Sequence, residues 1–283
     1  MEENRILTIG FPVYNASKDI KLALESVLKQ TYSNFILLIV NDGSTDDSME
    51  IVRSFNDNRI IIIDDGLNKG LAKRLNEIID LTTTKYLARM DADDLITLNK
   101  IERQMDILLS NQSIDVLGTN AFSLDKDGNI QGVRYEYENE DQVIDVDFFI
   151  HATIVGKTQW FKDNKYDERL YRMQDTELWF RTKEFSNFKM LTEPHYYYRE
   201  ESGGYYKKYF KSIKLFWYVA KKNNYSIYWL FRFLKVCLMS CFYFVLNVLG
   251  KENILLERRN KFLSEALLEK ETLNLKELIT KLS

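Results

Sequence analysis

Three carboxylates crowd one short stretch, Asp91-Ala92-Asp93-Asp94, directly after an apolar run from Tyr86 to Met90. Burying such groups without partners is costly, so carboxylates at the end of a buried strand ask for a function. Two oxygen ligands at the Asp91 and Asp93 spacing can hold Mg²⁺ or Mn²⁺, with other coordination positions left for phosphate oxygens and water. A plainer alternative is that Asp94 or Thr97 caps a helix running from about Leu98 to Leu109. A second acidic pair, Asp175 and Glu177, stands in Met173-Gln174-Asp175-Thr176-Glu177-Leu178-Trp179, at the start of a helical pattern that reaches Phe185. A carboxylate there can take a proton as a general base, or it can simply complement the positive end of the helix. The two residues lie about 200 degrees apart around a helix, so only one of them can face a given pocket.

Short apolar runs alternate with helical patterns upstream of these groups. Arg5 to Val13, Phe35 to Val40, Arg59 to Ile63 and Tyr86 to Met90 have the β-branched, apolar character of strands buried on both faces. Between them, Lys18 to Gln30, Asp46 to Phe55 and Leu71 to Leu81 place apolar residues at helical spacing. Strand, helix and strand in repetition predict right-handed crossovers and a parallel sheet, whose ligands bind beyond the carboxyl ends of the strands. Polar clusters stand at those ends: Tyr14-Asn15, Asn41-Asp42-Gly43-Ser44, Asp64-Asp65 and the Asp91 cluster. Asp42, in a turn with Gly43 and Ser44, is a pre-oriented acceptor for an imide or amino group, and it can equally shape its own loop as an Asx-turn. Gly70 permits close approach of backbone to a ligand or serves only as a turn residue before a helix. Beyond residue 112 come longer strands, a turn at Asp127-Gly128-Asn129 and the Asp175 helix.

Taken together, Phe11-Pro12-Val13-Tyr14-Asn15, Val40-Asn41-Asp42-Gly43-Ser44-Thr45-Asp46, Asn68-Lys69-Gly70-Leu71-Ala72 with Asn76, and Met90-Asp91-Ala92-Asp93-Asp94 resemble the successive signatures of family 2 glycosyltransferases. The resemblance covers roughly residues 5 to 200. It implies the GT-A fold, a Rossmann-like and mostly parallel sheet flanked by helices, and inverting transfer of a sugar from a nucleoside diphosphate, by expectation a UDP-sugar. Residues 1–204 then form the catalytic domain, 1–112 its nucleotide-sugar half and 113–204 its acceptor half. Carried over position by position, it assigns Pro12, Tyr14, Asn15, Asp42, Asn68 and Gly70 to the donor pocket, Asp91 to the ribose or metal-bound water, and Asp93 to a Mn²⁺ or Mg²⁺ ion. Asp175 falls on the base, with Glu177 as the fallback. Gln174 stands where the family has an acidic residue, and Ala152, after the acceptor-side His151, stands where it has proline. In His195-Tyr196-Tyr197-Tyr198-Arg199, the arginine is the expected diphosphate contact and His195 a packing residue, while Glu201 replaces a family histidine.

A formal net charge of −3 argues against a nucleic-acid partner. The alternative to a catalyst is a non-catalytic nucleotide-sugar or glycan-binding module on the same fold. A nucleotidyltransferase would need a Gly-rich phosphate loop where Pro12-Val13-Tyr14-Asn15-Ala16 stands. Charge is uneven along the chain: residues 205–250 hold eight Lys or Arg, fifteen aromatic residues and no Asp or Glu. Within them Val236 to Leu249 is an uncharged run of 14, short of the roughly 20 residues a spanning helix needs. Residues 205–283 are therefore expected as a helical appendage, with two readings open for 205–250. One is a helix lying on an anionic membrane surface, which suits a polyprenyl-diphosphate-linked or other glycan acceptor; the other is a helical pair packed on the domain. From Lys251 on, Leu255, Leu256, Phe262, Leu267 and Leu268 suggest a further amphipathic helix. Cys237 and Cys241 suit free thiols, and the N-terminal residues lack the pattern of a secretion signal, so the expected location is the cytoplasm, at most peripheral to the membrane.

Overall fold

A computed structural model of the chain describes residues 5–136, 142–199, 205–251 and 260–283. Four parallel strands form the first half of its sheet: β1 (Leu7–Val13), β2 (Phe35–Asn41), β3 (Ile60–Ile63) and β4 (Tyr86–Arg89). Helices α1 (Ile20–Leu28), α2 (Ser48–Ser54) and α3 (Leu71–Leu81) connect them. The order β3-β2-β1-β4 reverses at β1, which opens a crevice between the β1 and β4 loops, where α/β sheets place their ligands. β1 and β2 are apolar and buried, as continuous hydrophobic runs require, but β3 is the edge strand and leaves Ile61 exposed.

The second half is mixed. Strands β5 (Leu95–Ile96), β6 (Val116–Leu124), β7 (Ile130–Val133), β8 (Val143–Asp145), β9 (Val155–Lys157) and β10 (Phe188–Arg199) continue the sheet as β4-β9-β6-β10-β5, with β7 on β6 and β8 on β10. Only β6 and β10 pair in parallel there; β9 runs antiparallel to both β4 and β6. The predicted Asp127-Gly128-Asn129 turn joins β6 to β7. Helix α4 (Lys100–Ser110), a 3-10 turn (His151–Thr153), α5 (Thr158–Asp163) and α6 (Gln174–Thr182) complete this part. Trp160, Trp179, Phe149 and Phe188 pack together beneath it, with Phe149 edge-on to Trp179 at 5.1 Å between ring centroids.

Two expectations change. The helix at residue 100 is not capped by Asp94 or Thr97: its N-cap is Asn99, Asp94 is buried on Tyr196 and Arg199, and Thr97 Oγ1 meets His195 Nδ1 at 2.9 Å. The run judged too short to span belongs to a longer helix. Residues 205–251 form a hairpin of α7 (Tyr205–Lys222) and α8 (Ile227–Val248), and α8, at 22 residues, is long and apolar enough to cross a membrane by length and composition. The reason is that Arg232 and Lys235 interrupt the apolar sequence without interrupting the helix.

The expected appendage also divides. After the hairpin the chain returns to the sheet, where α9 (Glu265–Leu282) sets Leu275, Leu278 and Leu282 against Phe122, Leu124 and Tyr197. Lys29 Nζ holds its end by donating to the carbonyls of Lys281 and Leu282. Phe262 is exposed, and Leu255, Leu256 and the 204/205 boundary fall on or beside residues outside the described ones.

Candidate active site

The loops after β1 and β2 are tied to one another. Asn15, with a left-handed φ of 47°, donates its N–H to Ser44 Oγ at 3.1 Å, and its Oδ1 accepts from Thr45 N at 2.8 Å. Pro12 is buried at the end of β1, whereas Tyr14 stands exposed on the loop. Asp42 is nearly buried, and its Oδ1 accepts from Lys69 N at 2.6 Å, Gly70 N at 3.1 Å and Arg74 Nε at 3.1 Å. Among the described residues its Oδ2 accepts only the Gly70 N–H, so acceptor capacity for a base remains on that oxygen. Asn68 closes the loop by donating Nδ2 to the Asp42 carbonyl at 3.0 Å.

Two glycines make this arrangement possible. Gly43 has φ +69° and a Cβ there would stand 2.9 Å from Asn68 N; Gly70 has φ +85° at the start of α3. Both conformations are ones that a side chain disfavours. Arg74, 0% exposed, ties the loops together through Asp42, Asp65 and Glu77. Sequence reading missed it, although an arginine on the apolar face of α3 was a visible signal.

The Asp91 cluster is built differently. Carboxylate oxygens of Asp91, Asp93 and Asp94 lie within 4.8 Å of one another. Asp94 accepts from Tyr196 Oη at 2.9 Å and Arg199 N at 2.8 Å. Asp91 accepts from Arg89 Nη2 at 2.5 Å. Desolvation in the crowded loop, then the charge of Asp91, pushes Asp93 up to about 6, although the Asp93 side chain is itself exposed. Burial, then the charges of Asp93 and Asp91, holds Asp94 well above the usual carboxylate range. An all-carboxylate oxygen set in which Asp93 and Asp94 have raised proton affinity suits a hard divalent cation, whose charge would remove the repulsion, so the residues present fit Mg²⁺ or Mn²⁺.

Asp91 lies on the wall of a cleft of about 900 Å³, and so do Arg89, His151, Gln174, Asp175 and Tyr198. Met173, at a left-handed φ of 54°, turns the chain into α6 so that Asp175 sits in its first turn, with Oδ1 accepting from Thr176 N at 2.7 Å. Burial raises the Asp175 carboxyl, against the opposing effects of the Thr176 N–H and the Arg89 charge. His151 Nε2 meets Tyr166 Oη at 2.8 Å, and burial, then the Arg89 charge, holds the ring well below its usual value and hence neutral. Arg89 is thus a buried cation beside Asp91 whose field reaches Asp175 and His151, and its Nε has no hydrogen-bond partner among the described residues. Sequence reading missed it too; the signal was a charged residue inside the apolar run Tyr86 to Met90.

Other candidates are not brought to the cleft. Glu177 is buried behind α6, where it accepts from Arg181 Nε at 3.2 Å and Lys222 Nζ at 2.8 Å. Arg199 reaches Asp19 at 3.4 Å, and Asp93 is not among the cleft's lining residues. Glu201 lies outside the described residues.

The family model of glycosyl transferase family 2 matches residues 8–233. The chain belongs to this family. An uncharacterised glycosyltransferase of Methanocaldococcus jannaschii is 29% identical over 185 residues, 62% of this chain and 64% of that protein. The Escherichia coli UDP-Glc:alpha-D-GlcNAc-diphosphoundecaprenol beta-1,3-glucosyltransferase WfgD is 35% identical over 109 residues, 38% of this chain and 43% of its own. This chain spans less than two thirds of the length of the first curated relatives it matches. Among solved structures, residues 1–349 of S. aureus TarS superpose with a TM-score of 0.59 at 22% identity, covering 68% of this chain and 60% of that one. The Pyrobaculum calidifontis mannosyltransferase PcManGT, solved with GDP-Man and Mn²⁺, gives 0.58 at 15% identity, covering 77% and 64%. These likenesses show the GT-A type of fold. The family match extends past residue 204 into α7 and α8, and Ser212 of α7 lines the cleft.

Proposed function

We propose that this family 2 chain transfers a sugar, with inversion, from a nucleoside diphosphate donor to a hydroxyl of a glycan or lipid-linked acceptor. The observation that carries the reading is Asp91 and Asp175 on the wall of one 900 Å³ cleft, each within the field of the buried Arg89. Asp175, its proton affinity raised by burial, takes the proton of the acceptor hydroxyl as that oxygen attacks the anomeric carbon. Pro12, Tyr14, Asn15, Asn68, Gly70 and the free capacity of Asp42 Oδ2 shape the nucleoside side. Asp93 and Asp91 would hold a divalent cation, which would supply counter-charge to the departing diphosphate. Arg199 and His151 support the site from either side: Arg199 by holding Asp94, and His151 as a neutral group on the acceptor wall.

The donor is a UDP-sugar on this reading, and the acceptor is carried on a polyprenyl diphosphate, as the name of WfgD describes for that relative. Such chemistry belongs to surface-polysaccharide assembly at the cytoplasmic face of a membrane. Residues 1–112 serve the donor and 113–204 the acceptor. The test is to give the purified protein Mn²⁺, a panel of UDP- and GDP-sugars and a lipid-linked acceptor, then read the anomeric configuration of the product. An α-linked UDP-sugar must give a β-linked product; an α-linked product would overturn base-assisted displacement. Absence of both transfer and slow donor hydrolysis across the panel would favour a binding module instead.

A further inference from the structure

Helix α8 exposes an apolar stripe along its whole length: Ile227, Phe231, Leu234, Leu238, Val245 and Val248 recur at steps of three, four and seven residues, with Ile227 86% and Leu238 73% exposed. Such a surface on a soluble chain marks a partner. Packed on α8, α7 exposes Lys207, Lys211, Lys214 and Lys221 at the same kind of spacing. We propose that the α7–α8 hairpin lies flat in the surface of an anionic membrane, the α8 stripe in the acyl boundary and the α7 lysines among the headgroups.

The packing decides between lying flat and spanning. α7 runs antiparallel along α8, with Tyr206 against Phe244 at 5.7 Å, Tyr209 stacked on Tyr243 at 4.5 Å and Trp217 against Phe233 at 5.1 Å. The α7 lysines therefore accompany α8 from end to end. An upright α8 would carry Lys211 and Lys214 into hydrocarbon, where a charge is costly. Its inner face, Trp229, Val236, Ser240 and Tyr243, is already buried and has nothing to offer lipid. Lying flat keeps the α7 lysines at headgroup level and lets the exposed Lys235, at the edge of the stripe, reach the same layer, and the absence of any Asp or Glu from residues 205–250 gives the charge complementarity to an anionic headgroup layer. The same stripe spacing suits a coiled coil with a second copy, but no acidic side chain flanks it to pair the lysines across such a seam.

The hairpin is tied to the domain. Lys222 of α7 donates to Asp167 and Glu177 at 2.8 Å each, and Tyr171 Oη donates to the Lys211 carbonyl at 2.9 Å. Because Ser212 lines the cleft, a membrane-laid hairpin holds the cleft beside the lipid surface; that consequence rests on the transfer reading, whereas membrane binding does not.

The test uses the full chain without donor or acceptor, sedimented with vesicles of phosphatidylcholine alone or mixed equally with phosphatidylglycerol. Binding is expected only with phosphatidylglycerol, weakening as salt rises. Phe231→Ser with Leu238→Ser should lower partitioning by about tenfold or more, and Lys211→Gln or Lys214→Gln by about fivefold each. Cys241, exposed on α8, takes a fluorophore after Cys237→Ala, and lipid-borne quenchers near the headgroups should quench it more than quenchers at the chain ends. No binding to phosphatidylglycerol vesicles would overturn the proposal. So would strongest quenching from the bilayer centre, which means a spanning helix. A dimer in solution that the Phe231 and Leu238 changes dissolve, with vesicle binding unaltered, would assign the stripe to a second copy. Each result is read without turnover, so failure of the transfer reading leaves it intact.

Discussion

The carboxylates that follow β2 and β3 and those that follow β4 stand at the ends of parallel strands on either side of β1, yet they are held on opposite terms. Asp42, Asp64 and Asp65 are each paired, with Arg74, with Arg53 and Asn41, and with Arg74 and Lys69. The Asn41 hydrogen bond and the Arg53 guanidinium hold Asp64 below the usual carboxylate range, and Arg74 and Lys69 do the same for Asp65. After β4, Asp93 and Asp94 crowd Asp91 with no ion-pair partner of their own among the described residues, and both are raised. Asp175, across the cleft, is raised as well. Paired carboxylates fix loop shape and need nothing further. Raised ones store an unmet demand for a cation or a proton, and that is the property a reacting site uses.

Breaking the unmet side should give the largest effect. Asp93→Asn is expected to reduce metal-dependent turnover by about 10³ or more, because it removes an anionic oxygen from a set that must offset a diphosphate. Wild-type turnover that a chelator leaves intact would place the demand elsewhere. Breaking the paired side should instead cost stability. Arg74→Met leaves Asp42 buried without its cation, and urea unfolding should show a loss of about 3 kcal/mol, the low end for a broken buried pair because Asp65 and Glu77 remain partly wet. A loss below about 1 kcal/mol would mean that the Lys69 and Gly70 amides hold the loop alone.

Asp175→Asn sharpens the comparison within the cleft. Turnover should fall by about 10² while donor affinity, measured by titration with the nucleotide, stays nearly unchanged. A change confined to KM would make Asp175 an acceptor ligand. The smallest effect is in pH. A raised carboxyl binds its proton at higher pH, so activity that needs Asp175 ionised should decline as pH falls, starting above the usual carboxylate range. Asp64 works in the other direction: its folded value is depressed, so its stabilisation is present above the unfolded value of about 4 and is lost only as pH falls through the lower folded one. Turnover should therefore fall over a range in which circular dichroism still reports a folded chain, and coincident loss of both would contradict the division.

Much of the fold was legible because it is written in short windows. Apolar runs of strand length and helical spacing between them determined β1 to β4 and α1 to α3, and with them the rim on which Asn15, Asp42, Gly70 and Asp91 stand. The two glycines were visible as turn residues before their positive φ was known. The placement of Asp175 in the first turn of a helix was likewise a local matter, and the 200 degree argument that separates it from Glu177 needed only helix geometry.

What tertiary structure alone decided is who meets whom across long stretches of chain. Glu177 leaves the cleft because Lys222, 45 residues on, draws it into an ion pair. Asp94 is no helix cap because Tyr196 and the Arg199 amide, about a hundred residues away, claim its oxygens. The mixed second half of the sheet, the return of α9 to β6 and the outward turn of the α8 stripe have the same origin. Periodicity is a property of neighbours in sequence, so sequence carries it. A buried charge takes whichever partner packing brings within reach, and a helix face is free or covered according to what lies against it; both are settled only when distant segments meet.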